Sequence, residues 1–180
     1  MRHFFLLIAL AFAFCLASPG HSAGISSEPQ LKAAYLFNFA KFIHWPEDTF
    51  TNAQAPLVIG VLGETPFTGE LAPLTTRKVR NRAITIQHFK TVKDVQNCHI
   101  LYISPSISNN LQAVLQDLKP RPIVTVSDSK NFANRGGMIQ FVTRRERLQF
   151  VVNLVVAKAN GIKIDSQLLS LAVEILESEK

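Results

Sequence analysis

The stretch Leu31–Pro46, LKAAYLFNFAKFIHWP, governs how the rest of the chain is arranged. Eleven of its first fifteen residues are apolar or aromatic, so a helix formed here would be apolar around most of its circumference. A helix of that kind is buried on most sides. At about 100° per residue, Asn38 and Lys41 share one narrow polar stripe with Ala34. These polar residues interrupt a stretch already shorter than the roughly 20 residues of a membrane span, so we predict a core helix.

Both ends of this helix are marked in the sequence. Ser27 is a good N-cap residue, and Gln30, three positions later, completes the pattern of a capping box. Pro29 fits the first helical turn, where its missing N–H costs little. Pro46 moves Trp45 out of the helical region and is expected to stop the helix.

Residues 1–23 have the pattern of a secretory signal peptide. A basic residue, Arg2, precedes an apolar run from Phe4 to Ala17, and a helix breaker and small residues follow. We therefore expect cleavage after Ala23 and export to the periplasm. The remaining residues, 24–180, are enough for one domain with a substantial core.

Charge and cysteine content, together with the predicted export, argue against a nucleic-acid-binding protein and against a fold held by an intrachain disulfide. The formal net charge is +6, and an exported protein rarely meets nucleic acid. The basic balance instead favours an acidic partner, an anionic lipid surface or simple solubility. Cys15 would leave with the signal peptide, so Cys98 would be alone and no intrachain disulfide could form. We expect Cys98 to be a buried, protonated and unreactive thiol.

The segments after the first helix alternate between strands and helices. Ile84–His88 alternates like a half-exposed strand, and Ser106–Leu118 has one apolar face, like a helix. Thr65 and Pro66 could be the N-cap and first residue of a shorter helix. Three runs are apolar on both faces, as expected for central strands of a parallel sheet: 57–62, 98–103 and 123–126. This order predicts a single α/β domain with a largely parallel sheet flanked by helices.

The end of the chain changes in pattern. Two strand-like runs, 138–143 and 148–153, flank the charged residues 144–147, which predicts a C-terminal antiparallel β-hairpin. A helix should follow and stop at Asn160-Gly161. We expect Asp165 to cap a last helix with an apolar inward face: Leu168, Leu169, Ala172, Ile175 and Leu176.

Four blocks in this order resemble the YfiR-like family of periplasmic signalling proteins. They are LKAAYLFNFAKFIHWP (31–46), CHILYIS (98–104), FANRGGMIQFV (132–142) and NLVVAKANGIKIDSQLLSLA (153–172). The resemblance implies a compact α/β domain, often a homodimer, with no catalytic activity. It also implies repression of a membrane-bound diguanylate cyclase through binding of its periplasmic sensor region. Cyclic di-GMP from such a cyclase promotes biofilm formation.

Two candidate sites follow from the residues. The hairpin turn projects three cations from a rigid ladder, which suits an acidic partner surface, and Glu174 should lie on an exposed face of the last helix. The candidate partner-binding residues are Arg144, Arg145, Arg147 and Glu174. The alternative is a small-molecule-binding module that serves another membrane sensor, such as a histidine kinase. Its candidate ligand edge, where strands of an α/β sheet end, is formed by Glu64, Ser104 and Asp128.

Enzyme and metal chemistry find little support in the sequence. Cys98 and His99 are neighbours in a predicted strand, so their side chains point to opposite faces and do not easily bind one ion. The glycine-containing run 63–69 lacks the Gly-Lys-Ser/Thr of a phosphate-binding loop, and no serine stands in a G-x-S-x-G context. We expect no catalytic residue, no metal and no cofactor.

Overall fold

The computed structural model describes residues 27–119 and 121–178. The signal peptide predicted for residues 1–23, including Cys15, lies outside these residues. The helices and strands in chain order are α1 (Glu28–Phe42), β1 (Ile43–His44), β2 (Leu57–Leu62), α2 (Thr68–Leu71), β3 (Lys78–Val79), β4 (Arg82–Phe89), β5 (Ile100–Ile103), α3 (Leu111–Leu118), β6 (Val124–Ser127), β7 (Ile139–Arg144), β8 (Arg147–Asn153), α4 (Leu154–Ala159), β9 (Lys163–Ile164), α5 (Ser166–Leu169) and β10 (Glu174–Leu176).

Helix α1 begins as its sequence predicts. The Ser27 side chain accepts a hydrogen bond from the backbone N–H of Gln30, and the Gln30 side chain accepts one from the backbone N–H of Ser27. The helix ends before Pro46, because Ile43 is extended and pairs with Ile164 in a small antiparallel sheet of β1 and β9. Several α1 side chains are fully buried, which confirms the predicted core helix: Leu36, Phe39 and Ala40.

An eight-stranded sheet forms the centre of the domain, in the order β10-β8-β7-β6-β5-β2-β4-β3. The neighbours from β4 to β7 are parallel, and β10 is parallel to β8. Only the hairpin β7–β8 and the short pair β3–β4 are antiparallel among the strands of this sheet. The predicted α/β class, with a mostly parallel sheet and a C-terminal hairpin, is confirmed.

Both faces of the sheet are covered, which explains the continuous apolar runs of its central strands. On one face, Ile59 and Val61 of β2 belong to the same buried cluster as Phe39 of α1. On the other face, Leu101 of β5 is clustered with Leu111 of α3.

Four aromatic rings fix the hairpin to α1. Tyr35 and Phe39 of the helix meet Phe141 of β7 and Phe150 of β8, with ring centroids 5.2 to 5.9 Å apart. Aromatic pairs at such distances are stabilising beyond the area that they bury. The Tyr35 hydroxyl also donates to the carbonyl of Leu148 at 3.1 Å. These contacts hold the core end of the hairpin in a fixed position against α1.

Two local predictions are wrong. Asp165 does cap a helix, but this helix stops at Leu169, and residues 174–176 form β10 beside β8. The edge of β8 offers backbone hydrogen bonds to an extended segment, and the N–H of Val173 already donates to the carbonyl of Phe150 at 3.0 Å. The other error is at Thr65-Pro66, since α2 begins only at Thr68 and has no side-chain cap.

Candidate partner-binding surface and sheet edge

The hairpin turn is tight and exposed. Arg144 and Arg147 form the last cross-strand pair of the ladder, and Arg145 and Glu146 make the turn with φ angles of 51° and 60°. Positive φ at both central residues is typical of the turn whose twist matches that of the flanking strands. All four side chains are exposed. The turn therefore presents three cations and one anion from a well-defined backbone.

Glu174 lies beside this turn, on β10 rather than on a helix. Its Oε2 atom is 3.0 Å from a guanidinium nitrogen of Arg144, and the two side chains are 41% and 50% exposed. An exposed pair of this kind contributes at most about 1 kcal/mol to stability. Arg145 and Arg147 form no ion pair with any of the described residues. The structure thus brings Arg144 and Glu174 together and leaves Arg145 and Arg147 without an ion-pair partner among the described residues.

The three residues of the candidate ligand edge all follow the carboxyl ends of parallel strands, as predicted. The side-chain polar groups of Ser104 and Asp128 are engaged within the chain. The buried hydroxyl of Ser104 donates to the backbone carbonyl of Glu64, while the Glu64 side chain is exposed. The carboxylate of Asp128 accepts from the Tyr102 hydroxyl and from Lys32 Nζ, the latter at 2.7 Å.

Lys32 and Tyr102 also belong to this candidate edge, and the sequence did not predict either of them there. Lys32 is 8% exposed, and it also pairs with Glu28, one helical turn earlier, at 2.8 Å. Burial lowers the pKa of the Lys32 ammonium, but its hydrogen bonds to Asp128 and Glu28 outweigh that effect and raise it overall. Burial, and then the bond to Asp128, raise the pKa of Tyr102. For Lys32, the signal available in the sequence was the presence of a lysine within a nearly apolar helix.

Cys98 and His99 directly precede β5 rather than lying within a strand, and they are at the opposite, amino-terminal end of the central strands. Cys98 is buried, its thiol donates to the Ile100 carbonyl at 3.2 Å, and burial raises its pKa to about 12. No group of three or more His, Cys, Asp or Glu side chains suited to a metal ion occurs in the described part of the chain.

His99 is held in one tautomer. Its Nδ1 atom accepts from the backbone N–H of Val58 at 3.0 Å, so in the neutral ring the hydrogen is on Nε2. Burial, with a smaller contribution from the Arg82 charge, lowers the pKa of His99 to about 4. The imidazole stacks on Phe50 at 4.3 Å, and the Arg82 guanidinium lies 3.8 Å from the centroid of the same ring. The Phe50 ring therefore packs closely against both His99 and Arg82.

A model of the YfiR/HmsC-like family matches residues 29–173. This chain belongs to the YfiR/HmsC-like family. The resemblance carried by the four sequence blocks is therefore confirmed. The YfiR/HmsC-like match includes the hairpin turn, the ligand edge and His99, and it ends one residue before Glu174. A comparison with curated proteins gives no match.

Members of the YfiR/HmsC-like family are periplasmic regulatory proteins, and the family is associated with the regulation of diguanylate cyclases in cyclic di-GMP signalling. Within residues 27–119 and 121–178, no helix is both long and apolar enough to cross a membrane.

Proposed function

We propose that this protein is an exported, non-catalytic repressor of a membrane-bound diguanylate cyclase. It binds the periplasmic sensor region of the cyclase and thereby lowers cyclic di-GMP and biofilm formation. Membership of the YfiR/HmsC-like family carries this proposal. A binding protein transmits a signal only when it binds two states of its partner unequally, so we propose that it prefers the inactive state of the cyclase.

The hairpin turn is the surface that we propose for contact. Arg145 and Arg147 are exposed and lack ion-pair partners among the described residues, so their charges are available to an acidic surface. The aromatic cluster beneath the hairpin reduces the conformational freedom that binding would otherwise remove. Arg144 and Glu174 complete the surface, with Arg144 directed by its pair with Glu174.

The test compares cyclic di-GMP in cells that lack the gene and in cells that carry variants of it. Deletion should raise cyclic di-GMP and surface attachment, and the wild-type gene should restore both. The double variant Arg145→Glu, Arg147→Glu should behave like the deletion at normal protein abundance. This pair is preferable to one that includes Arg144, because a glutamate there would face Glu174 and add a like-charge repulsion within the protein.

A matched control separates this surface from a general effect of charge. Lys93 and Lys130 are exposed cations outside the hairpin, and their double reversal to glutamate changes the net charge by the same amount. This control should complement the deletion fully. An unchanged cyclic di-GMP level in the deletion strain would reject the repressor and favour a small-molecule-binding module for another membrane sensor. Complementation by the arginine variant would reject only the surface.

The homodimer is a separate proposal, and it rests on the family resemblance. Light scattering coupled to gel filtration measures it directly, and a monomeric mass across the accessible concentration range would reject it.

A further inference from the structure

Strand β4 has an open backbone edge. β3 pairs only with the first two residues of β4, Arg82 and Ala83, although β4 extends to Phe89. β2 occupies the other edge of β4 from Ile84 to Phe89. No further strand in the described part of the chain lies beside β4. The second half of β4 is therefore an edge strand, where a sheet can accept another strand.

The backbone groups of Ile86 and His88 point to this open edge. The N–H and C=O groups of Val58 both face β5, because they bond to the ring and to the backbone N–H of His99. In a parallel ladder, the residue opposite Val58, which is Thr85, then faces β2 with its own backbone groups. This direction alternates along a strand, so Ile86 and His88 face away from β2.

The turn between β3 and β4 gives the same result. Its two central residues, Arg80 and Asn81, have φ angles of 47° and 66°. The residues on either side of such a two-residue turn exchange hydrogen bonds, so the backbone groups of Arg82 face β3. Every second residue after Arg82 faces the same edge. Within the described part of the chain, no hydrogen bond reaches the backbone of Ile86 or His88 from this side.

The open part of β4 lacks the features that usually protect an edge. Proline, inward-facing charges, bulges or a covering segment block most natural edges. Ile84–Phe89 contains no proline and no Asp, Glu, Lys or Arg, and it pairs with β2 in continuous register. Gln87 and His88 are exposed, and Ile86 is half-buried. The 3₁₀ turn Ala72–Thr76 packs near β4, but its threonine hydroxyls donate within the turn itself.

Cations surround this edge. Four of them flank it, and residues 78–90 contain no acid: Lys78, Arg80, Arg82 and Lys90. None of the four forms an ion pair with the described residues. In an antiparallel pair of two copies centred on Ile86, Arg82 of each copy would lie opposite Lys90 of the other. Like charges placed directly opposite are destabilising, so the edge favours a strand with acidic ends over a second copy of this chain.

We propose that β4 binds an extended acidic segment of a protein partner, which adds to the sheet as a further strand. The N–H and C=O groups of Ile86 and His88 supply the main-chain hydrogen bonds, and the flanking cations select for acidic residues. This edge lies at the opposite end of the sheet from the β7–β8 hairpin. The proposal goes beyond the repressor function and does not rest on it.

The probe is a short capped peptide with alternating valine and threonine in its centre and two glutamates at each end. Amide hydrogen exchange followed by NMR measures the edge directly, because an unpaired amide exchanges fast and a ladder amide slowly. The amides of Ile86 and His88 should exchange fast in the free protein and at least about tenfold more slowly with saturating peptide. The amide of Gln87 faces β2, so it should be slow in both states and is the internal reference.

Two control peptides separate strand pairing from charge. The same peptide with lysine in place of glutamate keeps the strand pattern and reverses the charge. The same peptide with N-methyl groups throughout its centre keeps the charge but cannot form a ladder. Both should bind at least about tenfold more weakly than the acidic peptide.

His88→Pro is the decisive variant, because it removes one outward N–H, and proline is tolerated on an edge strand where its nitrogen faces solvent. It should raise the Kd at least about tenfold, whereas His88→Ala keeps the N–H and should bind like the wild type. The double variant Lys78→Glu, Lys90→Glu leaves the backbone intact and should also raise the Kd about tenfold. Its matched control reverses two exposed cations outside β4, Lys119→Glu and Lys130→Glu, and should stay within about twofold at physiological salt.

The proposal is overturned if the acidic peptide leaves the exchange of Ile86 and His88 unchanged, or if the N-methylated peptide binds as tightly. It is also overturned if His88→Pro and the Lys78→Glu, Lys90→Glu variant both keep the wild-type Kd. Slower exchange of the same two amides at higher protein concentration, without peptide, would show that a second copy pairs with this edge and would likewise reject the acidic partner.

Discussion

The backbone N–H of Val58 donates to Nδ1 of His99 over 3.0 Å, and the imidazole can accept this bond only while it is neutral. Protonation of the ring would turn the acceptor into a second donor. Burial and the Arg82 charge lower the pKa of His99 from 6.5 to about 4. The unfolded chain therefore takes up a proton near pH 6.5, whereas the folded chain does so only near pH 4. Stability is consequently lost as the pH falls through this window.

We expect the free energy of unfolding to fall by on the order of 3 kcal/mol between pH 7 and pH 4 through this residue. His99→Asn keeps an oxygen that can accept from Val58 but does not titrate, so it should lose this part of the pH dependence. Denaturant unfolding at a series of pH values measures both proteins. Equal pH dependence in the two would show that His99 is not the responsible group.

Phe39→Ala should destabilise the protein by about 3–5 kcal/mol, as for other buried phenylalanine truncations. Phe39 is fully buried, and its ring meets Tyr35, Phe141 and Phe150. Leu171→Ala is the control, since Leu171 is 65% exposed and its truncation should stay within about 0.5 kcal/mol. Thermal and denaturant unfolding check both. A wild-type midpoint for Phe39→Ala would mean that α1 is not the centre of the core.

Lys32 and Asp128 should be energetically coupled. Their side chains are 10% and 26% exposed. Lys32→Met leaves Asp128 without its counter-ion, and Asp128→Asn leaves Lys32 only its pair with Glu28, whose side chain is 54% exposed. We expect each to cost about 1–3 kcal/mol, less than for a fully buried pair. The double variant should cost about 1 kcal/mol less than the sum of the two. Strict additivity in this cycle would show that the pair contributes nothing specific.

Cys98 should be chemically silent in the folded protein. Burial raises the pKa of its thiol to about 12, so almost no thiolate exists at neutral pH. A chromogenic disulfide reagent should react with it only after denaturant is added, and a reductant should not change the unfolding curve. Cys98→Ser should cost about 1–3 kcal/mol, because it buries a more polar group. Rapid labelling of the native protein, or a dimer lost on reduction, would contradict this prediction.

Local chemistry made most of the fold predictable. The capping box of Ser27 and Gln30 lies within one turn of chain, and the hairpin is encoded by two strand patterns around a charged turn. The strands that are apolar on both faces are those that helices cover on both sides. In each case the residues that decide the structure are close in sequence or share one periodicity.

The error at residues 174–176 and the contacts that the sequence did not predict arose where a distant element decides the outcome. Residues 170–176 have an apolar spacing that also fits a helix, and only the free edge of β8 makes residues 174–176 extended. The pairing of Lys32 with Asp128 joins residues 96 positions apart. The stack of Phe50 on His99 likewise depends on how a polar loop folds over the sheet. Sequence periodicity contains no information about such contacts.

The rings that cover α1 come from a hairpin made more than a hundred residues later, as the 113-residue separation of Tyr35 and Leu148 shows. Contacts so far apart along the chain slow folding and leave apolar surface open in the meantime. A chain exported from its amino terminus would therefore expose the apolar surface of α1 first. The hairpin rings that pack on α1 would follow only late in export. Any fragment that stops before β8 lacks the Phe150 ring that packs on Tyr35 and Phe39, so truncated products of this protein should be substrates for chaperones and proteases rather than partial regulators.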